Sequence, residues 1–316
     1  MSLEAKRYTL EDLRPFLEKG DRVVGEPEGK YFTNVQTSQN VRPDSLDWIN
    51  PTRKNKQEMF ENSQAMIVLC DESIEIGETE LKARCAVVVK DPKLTFARIV
   101  NSLFLEKRPS GIHQTAFIHP EASVDPTAFI GPFTYIGKAT VGRNTVIQGN
   151  CHVHDQVRIG SNVTINAGTV IGSEGFGYVR NERGELEKFP HLAGVIIEDN
   201  VDIGSNTSID RGSLSHTIIR EGAKIDNLVH IAHNVVVGRH SSVIANAMIA
   251  GSTKIGDYSW VAPSASVLEQ LEIGTWVTIG VGSVVTKNVP DGETWTGVPA
   301  RPLKEFIAIQ NKLKNL

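Results

Sequence analysis

The sequence predicts a mixed fold: an N-terminal α/β domain over residues 1–111, a parallel β-helix over residues 112–301, and a short C-terminal α-helix over residues 302–316. The main observation is an aliphatic residue that returns at every sixth position through residues 118–285, apart from one five-residue step (Ile136 to Val141) and two interruptions. Before this repeat lie short apolar runs alternating with amphipathic segments, as in α/β domains. After it, the final residues have helical apolar spacing.

Composition excludes several classes of protein. The 316 residues are 40% hydrophobic and 22% charged, as in folded globular proteins. The net charge is −4, so no basic surface indicates nucleic-acid binding. The three cysteines (Cys70, Cys85 and Cys151) have neither metal-ligand nor disulfide spacing, which favours a reducing, cytoplasmic compartment. No apolar run reaches the length of about 18 residues that a membrane span needs.

Within the first domain, four segments carry the prediction. Residues 10–17 have the apolar spacing of an amphipathic helix, and residues 94–105 predict a second helix after a proline turn. Residues 65–70 and 86–90 are apolar runs typical of buried strands. Helices and buried strands in alternation indicate an α/β arrangement.

The repeat itself predicts a β-helix in which three hexads make one coil of about 18 residues. Neighbouring coils are then separated by about 4.8 Å. A small residue often follows the aliphatic one, which suits a left-handed or crowded corner. The aliphatic positions, all Val or Ile, are 118, 124, 130, 136, 141, 147, 153, 159, 165, 171, 197, 203, 209, 219, 225, 231, 237, 243, 249, 255, 261, 267, 273, 279 and 285.

Two segments interrupt the repeat, residues 172–194 and residues 211–218. Insertions leave a solenoid as loops on one side, where binding often occurs. The first segment is rich in glycine, aromatic and charged residues, so we expect a flap that presents Phe176, Tyr178 and Lys188 to a substrate. The alternative is a solvated hairpin without a binding role.

Several stretches together resemble the UDP-3-O-acylglucosamine N-acyltransferases of lipid A synthesis. They are residues 94–98 (LTFAR), 175–178 (GFGY), 207–212 (TSIDRG) and 225–235 (IDNLVHIAHNV). The resemblance implies a left-handed parallel β-helix and a homotrimer with active sites in the grooves between neighbouring prisms. It also implies an N-terminal domain that helps to hold a uridine nucleotide-sugar.

The resemblance marks His233 as the catalytic base, and the chemistry agrees. An amine that attacks a thioester must lose a proton, which a histidine accepts near neutral pH. Gly251 follows His233 by the 18 residues of one coil, so it is expected about 5 Å away on the next coil. Its N–H then suits an oxyanion, as the resemblance also implies. The alternative for Gly251 is an ordinary corner residue.

Three polar residues precede the histidine. Asp226 is a candidate to orient the imidazole, and Asn227 to bind the sugar; the alternative is that Asp226 fills a corner. His230 is a candidate substrate contact. A zinc site is the weaker interpretation, because no third ligand is evident.

The resemblance also implies a nucleotide site in the first domain. Asn50 matches the pattern, but Asp47 and Arg53 stand where aromatic residues that stack on uracil are expected. Trp48 is then either a stacking residue or part of the core. Gln270 stands where the family has a histidine near the nucleotide phosphates, so Gln270 is a candidate substrate contact.

The end of the repeat is similar to hexapeptide acetyltransferases that use coenzyme A. Small residues there allow a pantetheine arm to lie along the prism, and Lys287 and Arg301 are candidates to meet its phosphate. Since acyl carrier protein and coenzyme A present the same arm, this segment predicts a thioester donor without choosing the carrier.

The leading hypothesis is a cytoplasmic, trimeric N-acyltransferase acting on a UDP-linked amino sugar, with 3-hydroxyacyl carrier protein as donor and neither a metal nor a tightly bound cofactor. An acetyl-CoA-dependent N-acetyltransferase for O-antigen or capsule sugars is the alternative. A non-catalytic hexapeptide scaffold is a rival of another class. A metal enzyme similar to the γ-carbonic anhydrases remains open on fold alone.

Overall fold

The computed structural model describes residues 6–77, 84–105 and 108–314. The chain divides into two compact units, Met1–Lys107 and Arg108–Leu316. Among the described residues, no helix has both the length and the apolar character that a membrane crossing requires.

The N-terminal unit is built around a mixed five-stranded sheet. Its strands are β1 (Arg22–Val24), β2 (Asn34–Val35), β3 (Ser45–Trp48), β4 (Ile67–Cys70) and β5 (Cys85–Val88). They lie in the order β1-β5-β4-β3-β2, with β1 antiparallel to β5 and the other pairs parallel. The helices are α1 (Leu10–Leu13), a 3₁₀ turn (Arg14–Phe16), α2 (Lys56–Asn62) and α3 (Pro92–Leu103). This unit has the α/β character that the sequence predicts.

Local sequence explains how the helices of this unit begin and end. The helix predicted over residues 10–17 is instead one α-turn followed by the 3₁₀ turn, because Pro15 has no N–H to continue the α-helical pattern. Helix α3 begins after Asp91, whose carboxylate accepts a 3.0 Å hydrogen bond from the backbone N–H of Leu94. Strands β4 and β5 are buried throughout, as apolar runs predict.

The second unit is a left-handed parallel β-helix with three faces, which confirms the predicted fold class. The first face has nine strands: Phe117–Ile118, Tyr135–Ile136, His152–Val153, Val170–Ser173, Ser208–Asp210, His230–Ile231, Met248–Ile249, Ser266–Val267 and Val284–Val285. The second has eight: Ser123–Val124, Thr140–Val141, Val157–Ile159, Val195–Ile197, Thr217–Ile219, Val236–Val237, Lys254–Ile255 and Glu272–Ile273. Paired residues in most uninterrupted coils are 18 positions apart, as His230 and Met248 are, and the five-residue step gives 17 for Tyr135 and His152.

The third face has eleven strands, of which the last pairs antiparallel to its neighbour. They are Gly111–Ile112, Phe129–Ile130, Val146–Ile147, Thr164–Ile165, Asp202–Ile203, Lys224–Ile225, Ser242–Val243, Trp260–Val261, Thr278–Ile279, Thr294–Thr296 and Arg301–Pro302. Helix α4 (Leu303–Lys314) follows; the last two residues of the predicted helix lie outside the described residues. The repeated Val and Ile side chains fill the interior between the three faces.

The corners combine two backbone requirements. The third residue after the aliphatic position has a left-handed backbone and is most often Asn, for example Asn200 with φ 60° and Asn246 with φ 62°. The glycine directly after the aliphatic residue is crowded rather than left-handed. A Cβ on Gly238 would lie 2.4 Å from the backbone carbon of Gly256 on the next coil. The small residues of the repeat therefore permit close stacking of the coils.

Both interruptions leave the prism at one corner, between the first and second faces. The first contains an antiparallel hairpin, Tyr178–Arg180 paired with Leu186–Lys188, and the second joins Ser208–Asp210 to Thr217–Ile219. On the next two coils the same corner contains His233 and Gly251. We call it the loop corner. The two insertions thus emerge beside the predicted base.

Candidate active site

A cavity of about 590 Å³ opens at the loop corner. It brings together six residues predicted from the sequence: Phe176, Tyr178, His230, His233, Gly251 and Gln270. Its remaining lining residues are Gly177, Asp210, Ala232, Met248, Ala250, Ser252 and Glu269.

The orientation of His233 is fixed by the next residue. Nδ1 of His233 lies 2.9 Å from Oδ1 of Asn234. The Asn234 amide nitrogen donates to the backbone oxygen of Ser215 at 2.7 Å, which turns Oδ1 toward the imidazole. Because this oxygen only accepts hydrogen bonds, Nδ1 carries the proton and Nε2 keeps its lone pair. Nε2 is thus the basic atom of the ring.

Gly251 lies directly beside that nitrogen. A Cβ on Gly251 would lie 2.8 Å from Nε2 of His233 and 2.7 Å from Cε1, so only glycine leaves room for the imidazole. Within the described part of the chain, the N–H of Gly251 donates to no acceptor. The basic nitrogen of His233 and a backbone N–H without an acceptor therefore belong to residues that stack against each other in the cavity, as the 18-residue spacing predicts.

Asp210 adds a buried carboxylate that sequence reasoning did not assign. It is 7% exposed, accepts a 3.1 Å hydrogen bond from Oγ of Ser173, and lies 3.7 Å from Nε2 of His230. Burial raises the pKa of Asp210, while His230, the Ser173 hydrogen bond and His233 oppose that rise. Nδ1 of His230 in turn lies 2.9 Å from Oγ of Ser208. The carboxylate is a source of negative potential facing the base.

His191, also missed by sequence reasoning, packs behind the base. Its ring centroid lies 5.1 Å from that of His233, with the two planes at 68°. Burial is the main cause that lowers the pKa of His191, and the neighbouring His233 lowers it further. The site therefore contains a second imidazole whose protonation is disfavoured by burial and by the neighbouring His233.

The hairpin supplies the outer wall of the cavity. Phe176 is 83% exposed, and its ring meets that of Tyr178 edge-on at a centroid distance of 4.9 Å. Lys188 pairs across the hairpin with Tyr178 and forms an ion pair with Glu174. Lys188 is not among the residues that line the cavity. Whether this hairpin binds a substrate stays a prediction.

The structure places Asp226 and Asn227 at a different corner, after the third-face strand Lys224–Ile225. The Asp226 carboxylate accepts from the backbone N–H of Asn227 at 2.7 Å and of Ala245 at 3.1 Å. The Asn227 side-chain oxygen accepts from the backbone N–H of Ser205 at 2.6 Å. Neither residue lines the cavity, and the imidazole contact expected of Asp226 is made by Asn234. In this chain Asp226 fills a corner by accepting backbone hydrogen bonds, which is the alternative considered from the sequence.

The candidate nucleotide residues lie within the N-terminal unit. Asn50 lines a cavity of about 630 Å³ together with the cationic side chains of Lys90, Lys93 and Arg98. Trp48 does not line it and packs on Phe96, with ring centroids 6.0 Å apart. Trp48 is therefore part of the core of this unit, which was its alternative, while Asn50 remains a candidate.

Asp47 and Arg53 line a separate cavity of about 470 Å³. The Asp47 carboxylate accepts hydrogen bonds from Oγ of Ser63 at 2.7 Å and from the backbone N–H of Trp48 at 2.8 Å. Burial raises the pKa of Asp47. At these two positions a polar cavity stands in place of an aromatic stacking surface.

The candidate donor residues lie toward the end of the prism. Lys287 is exposed and occupies the same corner position as His233, three coils further along. At about 4.8 Å per coil, this separates the two positions by about 14 Å. Arg301 begins the last strand, and its guanidinium lies 2.8 Å from Oε1 of Glu305 in α4. In the described ranges, no group of three or more His, Cys, Asp or Glu is arranged to hold a metal ion.

Comparison with protein-family models matches residues 138–173 to the bacterial transferase hexapeptide (six repeats). Among curated proteins, the chain is 46% identical over 158 residues to UDP-3-O-acylglucosamine N-acyltransferase of Methylobacterium nodulans, covering 50% of this chain and 45% of that protein. The enzyme of the same name from Caulobacter sp. is 46% identical over 149 residues, covering 47% and 44%. The predicted resemblance is confirmed. The chain spans about half the length of the curated relatives that it matches.

Solved structures of related acyltransferases have the same fold. UDP-N-acetylglucosamine O-acyltransferase from Moraxella catarrhalis superposes with a TM-score of 0.55 at 26% identity, covering 63% of this chain and 77% of that one. The UDP-N-acetylglucosamine acyltransferase of Francisella novicida gives a TM-score of 0.55 at 25% identity, covering 63% and 73%.

Proposed function

We propose that the chain is an N-acyltransferase that moves an acyl group from a pantetheine thioester to the amine of a UDP-linked amino sugar. The carrying observation is that Gly251, whose backbone N–H donates to no acceptor among the described residues, packs directly against Nε2 of His233 in the loop-corner cavity. A base and an oxyanion donor at one point are the two groups that aminolysis of a thioester requires. The named relatives act on a sugar of this class, which supports the proposal.

In the proposed reaction, the amine nitrogen attacks the thioester carbonyl carbon and passes its proton to Nε2 of His233. The negative charge that develops on the carbonyl oxygen is stabilised by the N–H of Gly251. Collapse of the intermediate breaks the carbon–sulfur bond, and His233 returns the proton to the thiolate. The products are the amide and the free pantetheine thiol. The Asp210 carboxylate offsets the positive charge that His233 carries between the two proton transfers.

The thioester arm is proposed to lie along the loop corner. Its reactive end lies at Gly251, and Lys287, three coils beyond His233, meets the phosphate at the other end. Arg301 remains a second candidate for that phosphate. The family resemblance favours 3-hydroxyacyl carrier protein as donor. A cytoplasmic location is part of the proposal, since all three cysteines are buried and unpaired.

Candidate acceptor contacts are assigned to each unit by itself. In the N-terminal unit, Asn50 stays the candidate nucleotide contact, in a cavity lined both by cations and by the carboxylates of Glu18, Asp21 and Asp91. In the β-helix, Phe176, Tyr178 and Gln270 are the candidate sugar contacts. The homotrimer implied by the resemblance belongs to this proposal, and the molar mass of the purified protein by light scattering tests it.

A second candidate, acetyl transfer from acetyl-CoA to a nucleotide amino sugar, is favoured by the polar cavity at Asp47 and Arg53. One experiment separates the two. The protein receives acetyl-CoA or 3-hydroxyacyl carrier protein, each with UDP- and dTDP-amino sugars, and mass spectrometry follows the product. Long-chain transfer to the UDP sugar supports the first proposal, and acetyl transfer supports the second.

A scaffold without activity predicts no product under any condition. His233→Ala separates this rival from both enzymes, because loss of a general base lowers kcat by about 10²–10⁴-fold. His240→Ala is the matched control, since this histidine stacks on Tyr258 at another corner. Equal rates for the two variants would contradict the proposed mechanism.

A further inference from the structure

His191 is buried although nothing in the fold demands a histidine there. The residue is 4% exposed and lies in the first insertion, after the hairpin strand Leu186–Lys188. Among the described residues, neither of its ring nitrogens has a hydrogen-bond partner. A buried polar atom without a partner destabilises a fold, so an apolar ring would be the more stable choice. The histidine therefore needs a functional reason.

The ring of His191 is fixed between the Gly-Phe-Gly turn and the base. A Cβ on Gly177 would lie 2.9 Å from Cε1 of His191. A Cβ on Gly175 would lie 3.0 Å from Nε2 of His191 and 3.1 Å from Cδ2 of His233. The turn thus contacts both imidazoles at once. Holding the insertion against the prism at this point restrains the rotation of His233 from the side opposite Asn234.

Three charged or titratable groups face His191: His233 from the loop corner, Asp210 from the first face, and Lys188 from the hairpin. Burial lowers the pKa of His191 most, His233 and Lys188 lower it further, and Asp210 and the backbone of Phe189 oppose them. The Lys188 ammonium is itself paired with Glu174. A proton on His191 is therefore unfavourable while the insertion packs against the prism.

We propose that His191 is a positioning residue for His233, one that keeps Nε2 of the base directed at Gly251 only while His191 is uncharged. This role rests on the proposed acyl transfer. A second positive charge beside the imidazolium that forms during the reaction would oppose proton uptake by His233. A phenylalanine would give the contact without its pH dependence.

The pH dependence of kcat/KM tests the proposal. In the wild type, His191 and His233 must both lose a proton, whereas in His191→Phe only His233 must. The substrate amine titrates equally in both proteins. The limiting slope of log kcat/KM on the acid side is therefore expected to be one unit smaller in His191→Phe. His240→Phe is the control and should keep the wild-type slope; circular dichroism at each pH verifies folding. Equal slopes in His191→Phe and wild type would overturn the proposal.

Truncation tests positioning separately. His191→Ala removes the ring contact and is expected to lower kcat by about 10–100-fold with KM nearly unchanged, as for other residues that orient a catalytic group. His191→Phe should restore most of kcat at neutral pH. An unchanged kcat in His191→Ala, or no recovery in a folded His191→Phe, would contradict the positioning role.

A measurement without turnover separates this inference from the proposed function. With ¹³Cε1-labelled histidine, the His191 resonance is expected to titrate below the ordinary range and to move back toward it in His233→Gln, because His233 contributes to lowering its pKa. This shift without acyl transfer from any donor would support the contact and reject the function. Ordinary titration of His191 in both proteins would reject the inference itself.

Discussion

Asn234 holds the imidazole of His233 through a 2.9 Å contact between Oδ1 and Nδ1. The asparagine has a left-handed backbone with φ 63°, as asparagines at several other corners have. A residue type that the repeat uses for backbone geometry thus also selects the tautomer of the base. Structural and catalytic requirements coincide at one position.

Replacing Asn234 by Gly tests this coincidence, because glycine adopts the left-handed backbone without strain. We expect kcat to fall by about 10–100-fold with little change in KM, since the imidazole loses the group that fixes its tautomer. Asn246→Gly is the matched control: its φ is 62°, and it lies at a different corner. Steady-state kinetics on both variants checks the prediction, and similar rates would contradict it.

Two glycines of the prism should separate activity from stability. In Gly251→Ala the three atoms nearest to the new Cβ all belong to the His233 imidazole, so we expect a displaced ring, a large loss of kcat and an almost unchanged Tm. In Gly238→Ala the Cβ meets the backbone of Gly256, so we expect a loss of stability of about 1–3 kcal/mol from overpacking. Thermal unfolding and kinetics on both variants are the measurements. Equal losses of Tm would contradict the assignment.

Asp210→Asn should stabilise the protein at neutral pH. Burial raises the pKa of this carboxyl, so ionised Asp210 destabilises the folded state above that raised pKa. As pH falls through the raised value, the wild-type carboxyl takes up its proton and the advantage of the variant disappears. The Tm difference between pH 8 and pH 4 measures this. Asp202→Asn, at an exposed carboxylate paired with Lys224, should give no such gain.

Leu228 offers a test of the corner geometry away from the site. This residue has φ 59° and is 59% exposed, so its side chain gains little from burial while its backbone is strained. We expect Leu228→Asn to stabilise the protein by roughly 1 kcal/mol. The reverse change, Asn246→Leu, should destabilise it by a similar amount. Chemical denaturation of the two variants measures both effects, and a loss in the first would refute the explanation.

How much the sequence could predict depended on the register of the repeat. His233 and Gly251 could be placed side by side because both lie in regular coils of three complete hexads, where 18 residues return to the same point. His191 could not, since it lies in an insertion that has no register. Asp210 stands in a predicted motif, but only its burial and nearness to His230 reveal a role. The orienting role considered for Asp226 failed because the spacing places it at another corner.

Asn234 was overlooked for a different reason. Asparagine at the third position after the aliphatic residue recurs around the prism, so its presence beside His233 looks purely structural. The sequence signal for an orienting role of Asn234 is the histidine beside it, because an amide next to an imidazole in a turn is within reach of its ring. For Trp48, only the packing against Phe96 separates a core role from a stacking role.

Because the coils stack at a constant spacing, the number of coils between two residues at one corner sets the distance between them. Lys287 and His233 share a corner position, so the distance between them is a whole number of coil spacings. Inserting one complete 18-residue coil between them would lengthen that span by about 4.8 Å without turning any side chain to another face. Lengthening the wound chain by a number of residues that is not a multiple of 18, without releasing the excess as a loop, would rotate Lys287 off the corner. In this architecture, the distance between two contact residues along a corner changes in steps of one coil spacing. Evolution can adjust this distance by adding or deleting coils.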